Sequence, residues 1–177
     1  NSVRESLSEH SFDTAVIAHA LAVIARDHFG KAVDPGQVAA VALFHDAPEI
    51  LTGDMPAPVK YHNPEIRNAY RSVEDAALTS LLHMLPPALQ PEYRVLFSFE
   101  AEHPQLYALV KAADKISAYS KCVEEIKCGN QEFAKAAHQL KAAIDAIGLE
   151  EVKFYMAQFM PAFSLTLDEL QKNFKGE

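Results

Sequence analysis

The sequence predicts an all-α protein, and three observations carry that reading. Apolar residues recur at helical spacing in the long segments, helix caps with proline or glycine punctuate the gaps, and no run shows the period-two alternation of a strand. Ser8 to His28 aligns Phe12, Val16, Ile17, Ala20, Leu21 and Ile24 in one apolar stripe, with Ser8 as N-cap and Gly30 as the stop. Asp34-Pro35-Gly36-Gln37 reads as N-cap, N1 proline and capping-box glutamine. The helix it opens runs through Val38, Val41, Ala42 and Leu43 to His45-Asp46, and a loop rich in proline and glycine follows from Leu51 to Pro58.

Asn63-Pro64 starts a helix that Pro86-Pro87 forbids beyond Leu85. A shorter helix spans Ala88 to Glu100, and His103-Pro104 opens a long one reaching Cys128. Gly129-Asn130 separates it from a helix over Glu132 to Ile147, which Gly148 ends. Glu150 to Met160 forms the next, and Thr166 with Glu169 at N3 caps a short terminal one. There is no internal repeat or low-complexity segment, and 177 residues suit a single domain.

A hydrophobic fraction of 49% fills a core, which excludes disorder for most of the chain. With 24 acidic against 16 basic residues the formal charge is −8, which argues against a binder of nucleic-acid polymers. A nucleotide remains open as a substrate, since a metal ion and a few cations bind one phosphate locally. No apolar run reaches the roughly 18–20 residues of a membrane span. Cys122 and Cys128, six apart on a helix, face different directions, so no disulfide joins them. Few cysteines and no signal peptide point to the cytoplasm. The chain begins at Asn1 without methionine, and its native N-terminus is read as missing.

Three segments carry the chemistry. His10 lies in the first turn of the first long helix, His45-Asp46 near the end of the second, and Asp114 inside the long helix. Neighbours on a helix point about 100° apart, so His45 and Asp46 both reach one ion only from a helix end facing a cleft. Imidazole and carboxylate together suit one divalent ion such as Co, Mn, Fe, Ni or Zn, with Mg also possible. Glu49, four residues after His45, shares its face if the helix persists, where a carboxylate can hold or deprotonate an attacking water.

The order His10, His45-Asp46, Asp114 resembles the HD superfamily. Ser8-Glu9-His10-Ser11, His45-Asp46-Ala47-Pro48-Glu49, the run Leu51 to Tyr61 and Lys111-Ala112-Ala113-Asp114 look more closely like the bacterial YfbR-type 5′-deoxynucleotidases. The similarity extends to Lys121-Cys122-Val123-Glu124-Glu125 and to Pro161 through Glu169. The resemblance implies an HD-domain helical bundle, a homodimer, and hydrolysis of deoxyribonucleoside 5′-monophosphates. It implies one divalent ion, cobalt favoured, on His10, His45, Asp46 and Asp114, with Glu49 catalytic. It also sets His10, Asp46, Asp114 and the loop Asp54, Met55, Pro56 and Ala57 against the substrate, with Asp54 at the sugar. Two departures stand out. The family's Arg-Trp pair before the first metal histidine, which holds phosphate and helps exclude a ribose, is not in this sequence: Asn1 begins too late to include it, the sequence has no Trp, and Arg4 is not at that position. Ala57 also stands where relatives can carry threonine, so a hydroxyl contact from that position is lost.

Other residues carry bland readings. His19 falls on the apolar side of its helix and reads as a core or interface residue, while His28, His62, His83, His103 and His138 read as helix-end or surface positions. Asp54 alternatively closes an Asx turn or caps a short helix. Lys60 is either a phosphate-binding charge or a solvated lysine beside Tyr61, and Lys115 either neutralises the site or pairs with a neighbouring helix. Glu124-Glu125 reads as a solvated face, and Phe154, Tyr155, Phe159 and Phe163 as packing. The competing functions are an HD hydrolase of another phosphoester and a non-catalytic nucleotide-binding regulator. No residue is assigned as proton donor to the leaving group.

Overall fold

Short-range capping decides where the helices begin. In the computed structural model, residues 4–60, 62–166, 168, 169 and 171 are described, without the side chains of Ala57 and Pro58. Helix α1 (Leu7–Val23) is capped by Ser6 rather than the expected Ser8: Glu9 N donates to Ser6 Oγ at 3.2 Å while Ser6 N donates to Glu9 Oε2 at 2.7 Å. Its last turn widens into a π-type segment, Ile24–His28, before Gly30 turns the chain at φ +67°. Asp34 caps α2 (Pro35–Leu43) by accepting from Gly36 N at 2.8 Å. Asn63 caps the 20-residue α5 (Pro64–His83) through Ile66 N at 2.7 Å, after two single-turn helices, α3 (Glu49–Thr52) and α4 (Ala57–Lys60).

Then follow α6 (Gln90–Glu102), the long α7 (Pro104–Lys127), a 3-10 turn Gln131–Phe133, α8 (Ala134–Asp145), α9 (Glu150–Gln158) and a 3-10 segment Met160–Ser164. The reciprocal bonds between Thr166 and Glu169 that open the terminal helix are present, but most of that helix lies outside the described residues. No strand occurs among the described residues, and none of their helices is long and apolar enough to cross a membrane.

The expectation that α2 runs to His45-Asp46 is corrected, and the condition that would set Glu49 on the face of His45 is not met. The helix ends at Leu43, and bonds Phe44 N to Val41 O, His45 N to Ala42 O and Ala47 N to Phe44 O tighten the chain into three-residue turns. Pro48 has no N–H to continue an α-helical ladder and biases Ala47 away from helical dihedrals. Glu49 therefore opens a new helix instead of extending the old one.

The core is built where α1, α2 and α7 meet, with Phe99 of α6, Ile144 of α8 and Val152 of α9 closing it. Here the expected stripe of α1 is only half right. Ile17, Leu21 and Ile24 are buried, but Phe12 is 61% and Val16 53% exposed. The buried face instead uses Ser11, Thr14, Ala15, Ala18 and Ala22, small residues that let α2 and α7 approach closely. His19, expected on the apolar side, is exposed for the same reason. Glu125, expected to be solvated, is 1% exposed and accepts a hydrogen bond from Asn130 Nδ2 at 3.0 Å, while Glu124 is on the surface as expected. Both cysteines are free, Cys122 buried and Cys128 exposed. The C-terminal aromatics pack as expected: Phe154 against His28 and Phe29, and Tyr155 against Phe159.

Candidate metal and active site

Four side chains from three elements converge at one end of this core. α1 supplies His10 from its first turn, the tight turn after α2 supplies His45 and Asp46, and the middle of α7 supplies Asp114. His10 Nε2 lies 3.3 Å from Asp114 Oδ1 and 3.6 Å from Asp46 Oδ2. His45 Nε2 lies 3.1 Å from Asp46 Oδ2 and 3.9 Å from Asp114 Oδ1. One ligand atom each from His10, His45 and Asp114 fits within 4.8 Å of the others, the spacing that a single ion spans.

The orientation of His45 tests whether the set suits a cation. Its Nδ1 sits 2.7 Å from Ala42 O, a bond that needs the proton on Nδ1. In the neutral ring that leaves the Nε2 lone pair aimed at two carboxylates, acceptors it cannot bond without a second proton, and among the described residues this buried nitrogen has no other partner. A backbone carbonyl fixing the far nitrogen of a ligand imidazole is what metal sites use to set the tautomer. Donor types and arrangement thus fit a divalent ion of the borderline kind.

Charge coupling shows the same tension. Hydrogen bonding to Asp114 raises the His10 pKa against the opposing effect of burial, with Asp46 and Glu5 adding to the rise. Burial depresses His45, yet Asp46 and Asp114 outweigh it and its pKa too is raised. Burial alone would lift Asp114, but His10, His45 and Lys115 hold it below the ordinary carboxylate value. Glu49 behaves oppositely: partial burial, then the nearby Asp46 and Asp54, push its pKa up to about 7.

Two clefts meet at the cluster, and Asp46, Lys60 and Asp114 line both. One, of about 550 Å³, gathers His10, Glu49, Asp54, Met55 and Lys115. The other, of about 390 Å³, runs between α5, α6 and α7 past Phe44, Arg71, Phe97, Tyr107 and Lys111. Of the expected site residues, His10, His45, Asp46, Glu49, Asp54, Met55 and Asp114 are therefore brought together. Pro56 is exposed and lines neither cleft, and the side chain of Ala57 lies outside the described residues.

With that geometry in place, comparison with known proteins decides the family. The model of the 5′-deoxynucleotidase YfbR-like family matches residues 1–163. The chain belongs to the YfbR-like family. It is 44% identical to a 5′-deoxynucleotidase of Vibrio cholerae, covering 94% of this chain and 86% of that relative. A 5′-deoxynucleotidase of Shewanella oneidensis is also 44% identical, over 95% of this chain and 86% of its own length. An HD-domain phosphohydrolase from Listeria innocua superposes with a TM-score of 0.77 at 26% identity, over 90% of this chain and 77% of that one. The expected fold, a helical HD-type bundle, and the expected phosphohydrolase family both hold.

In this YfbR-like chain the loop carrying Asp54 is aimed by residues that the sequence did not single out. Gly53 adopts φ 68°, ψ 164°, a region open essentially to glycine, and turns the chain into the cleft. Its carbonyl accepts from the Tyr70 hydroxyl at 3.0 Å and from Thr52 Oγ1 at 2.9 Å. No Asx turn forms at Asp54, whose carboxylate has no hydrogen bond to a described residue. Lys60 is not a freely solvated lysine: Nζ binds Glu74 Oε1 at 2.7 Å and lies 4.8 Å from the Tyr70 ring centre, while the residue lines both clefts. Tyr70 gives no motif signal, because its role exists only once α5 packs beside the loop. Tyr70→Phe is expected to cost about 1 kcal/mol of stability and to raise KM for a nucleotide more than it lowers kcat. Steady-state kinetics with a thermal melt check this, and an unchanged KM would remove Tyr70 from the loop's support.

Proposed function

We propose that this chain hydrolyses deoxyribonucleoside 5′-monophosphates to the deoxynucleoside and phosphate, with one divalent ion held by His10, His45, Asp46 and Asp114. Membership of the YfbR-like family supports the reaction class. The observation that carries the site is the buried, unpartnered Nε2 of His45 facing two carboxylates beside an elevated Glu49. When bound, the ion supplies Lewis acidity toward phosphate oxygens and acidifies water.

The protein's own part follows from its geometry. Glu49 orients the attacking water and takes its proton, the part a positioned carboxylate plays as general base. The water oxygen bonds to phosphorus as the bond to O5′ breaks; O5′ leaves as the hydroxyl by taking a proton from solvent, and Glu49 gives the proton it accepted back to solvent. Asp54, exposed at the cleft mouth and with no hydrogen bond to a described residue, receives the sugar, and Met55, Pro56 and Ala57 continue the substrate loop. Cobalt as the favoured metal, a homodimer and a cytoplasmic location accompany this reading. The sequence resemblance supports cobalt and the dimer, and the exposed Phe12 and Val16 provide apolar surface for a second copy.

Phosphate release from dAMP and AMP by metal-stripped protein, resupplied with Co, Mn, Mg or Zn, tests the proposal. Metal-dependent release that is greater from dAMP is expected. Equal release keeps a nucleotidase and removes the deoxy preference. No release with any metal sinks the reading and favours another phosphoester or a regulatory role.

A further inference from the structure

The cleft proposed for the nucleotide has a charge problem. Glu5, Asp46, Glu49, Asp54 and Asp114 all line it, and a phosphomonoester brings further negative charge into it. Apart from His10, its only cations among the described residues are Lys60 and Lys115. Lys60 is held on Glu74 and the Tyr70 ring, away from a role as a mobile phosphate ligand. Lys115 differs in kind. It follows Asp114 on α7, is partly buried, lines the cleft, and makes no ion pair or hydrogen bond with a described residue. Its charge reaches the cluster, where it helps hold Asp114 ionised.

We infer that Lys115 is the protein's own phosphate-binding cation, a point charge on a flexible stem that clamps the non-bridging oxygens of the substrate's phosphate and of the product orthophosphate. The inference rests on the phosphomonoester reading above. A lysine suits the place because its three donors rotate to follow the phosphorus centre as its geometry inverts. A merely structural counter-charge for Asp114 predicts the opposite behaviour. Its removal would ease cation binding and leave phosphate affinity alone.

The test titrates inorganic phosphate and, separately, deoxyadenosine into manganese-loaded full-length protein by calorimetry, for the wild type, Lys115→Gln and Lys115→Arg, with metal content measured in each. Lys115→Gln is expected to weaken phosphate binding by about 10–100-fold, the value of one charge-assisted hydrogen bond. Deoxyadenosine affinity and metal content stay at wild-type levels, and Lys115→Arg restores most of the phosphate affinity. Unchanged phosphate affinity in Lys115→Gln, or tighter metal binding without a phosphate effect, overturns the inference. Should Lys115→Gln fail to fold, the wild type decides: saturating phosphate must slow acylation of Lys115 by an amine reagent, read by mass spectrometry, and no protection overturns it. Lys115-dependent phosphate binding without dAMP turnover would sink the nucleotidase reading and leave this site. Turnover with Lys115-independent phosphate binding would do the reverse.

Discussion

Glu49→Gln is expected to lower kcat by about 10²–10⁴-fold, the contribution of a positioned general base, while metal content stays at the wild-type level. Gln keeps the shape and loses the proton acceptor, so phosphate release falls without loss of the ion. A second effect distinguishes a strained base from a passive carboxylate. The folded-state pKa of Glu49 is raised to about 7 from 4.5, so between those values the folded protein retains a proton that the unfolded chain has released. Stability from this group is complete below pH ~4.5 and is lost as pH rises through about 7. In chelator at pH 8, Glu49→Gln should therefore be more stable than the wild type by about 1–2 kcal/mol, a discounted share of the full shift because the carboxyl is partly solvated. At pH 4, below both values, the difference should vanish. Denaturant melts at both pH values check this. Loss of metal in the variant would make Glu49 a ligand instead, and equal stability at pH 8 would remove the strained base.

His45→Ala is expected to abolish stoichiometric metal binding and turnover together. The wild type, given a divalent ion at about 100 times its Kd, should gain about 2.7 kcal/mol, or roughly 5–10 °C in Tm. The variant should gain none, because the nitrogen lost is the one held toward Asp46 and Asp114 by the bond to Ala42 O. The metal-free variant still folds: losing the imidazole costs about 1–3 kcal/mol, against a typical total of about 5–15 kcal/mol. Circular dichroism, metal analysis and the melt with and without ion report the outcome. A His45→Ala protein that binds one ion and still gains Tm would move the centre elsewhere.

The residues brought together at the centre were legible because three short segments carry them in fixed order, and family resemblance links segments far apart in the chain. Their mutual distances were not legible. The sequence set Glu49 on the face of His45 only if that helix persists, and Pro48 and the tight turn end it and set Glu49 at the head of α3. Tyr70 and the second cleft past Tyr107 had no motif to announce them, since each acts only through the packing of α5 and α7 around the loop and the cluster.

By itself the sequence determined the helical class and most helix boundaries. The caps at Asp34, Asn63 and Thr166 and the stops at Gly30 and Gly148 depend on bonds and dihedrals within a few residues, so neighbours in the chain suffice to specify them. Tertiary structure alone decided which faces turn inward. Phe12, Val16 and His19 face out because alanines make the close contact of α1, while Glu125 is buried. Likewise it drew Lys60 onto Glu74 and left Lys115 lining the cleft with no ion pair or hydrogen bond to a described residue. Sidedness depends on which helices approach and how closely, and that is settled by side chains distant in sequence acting across the core.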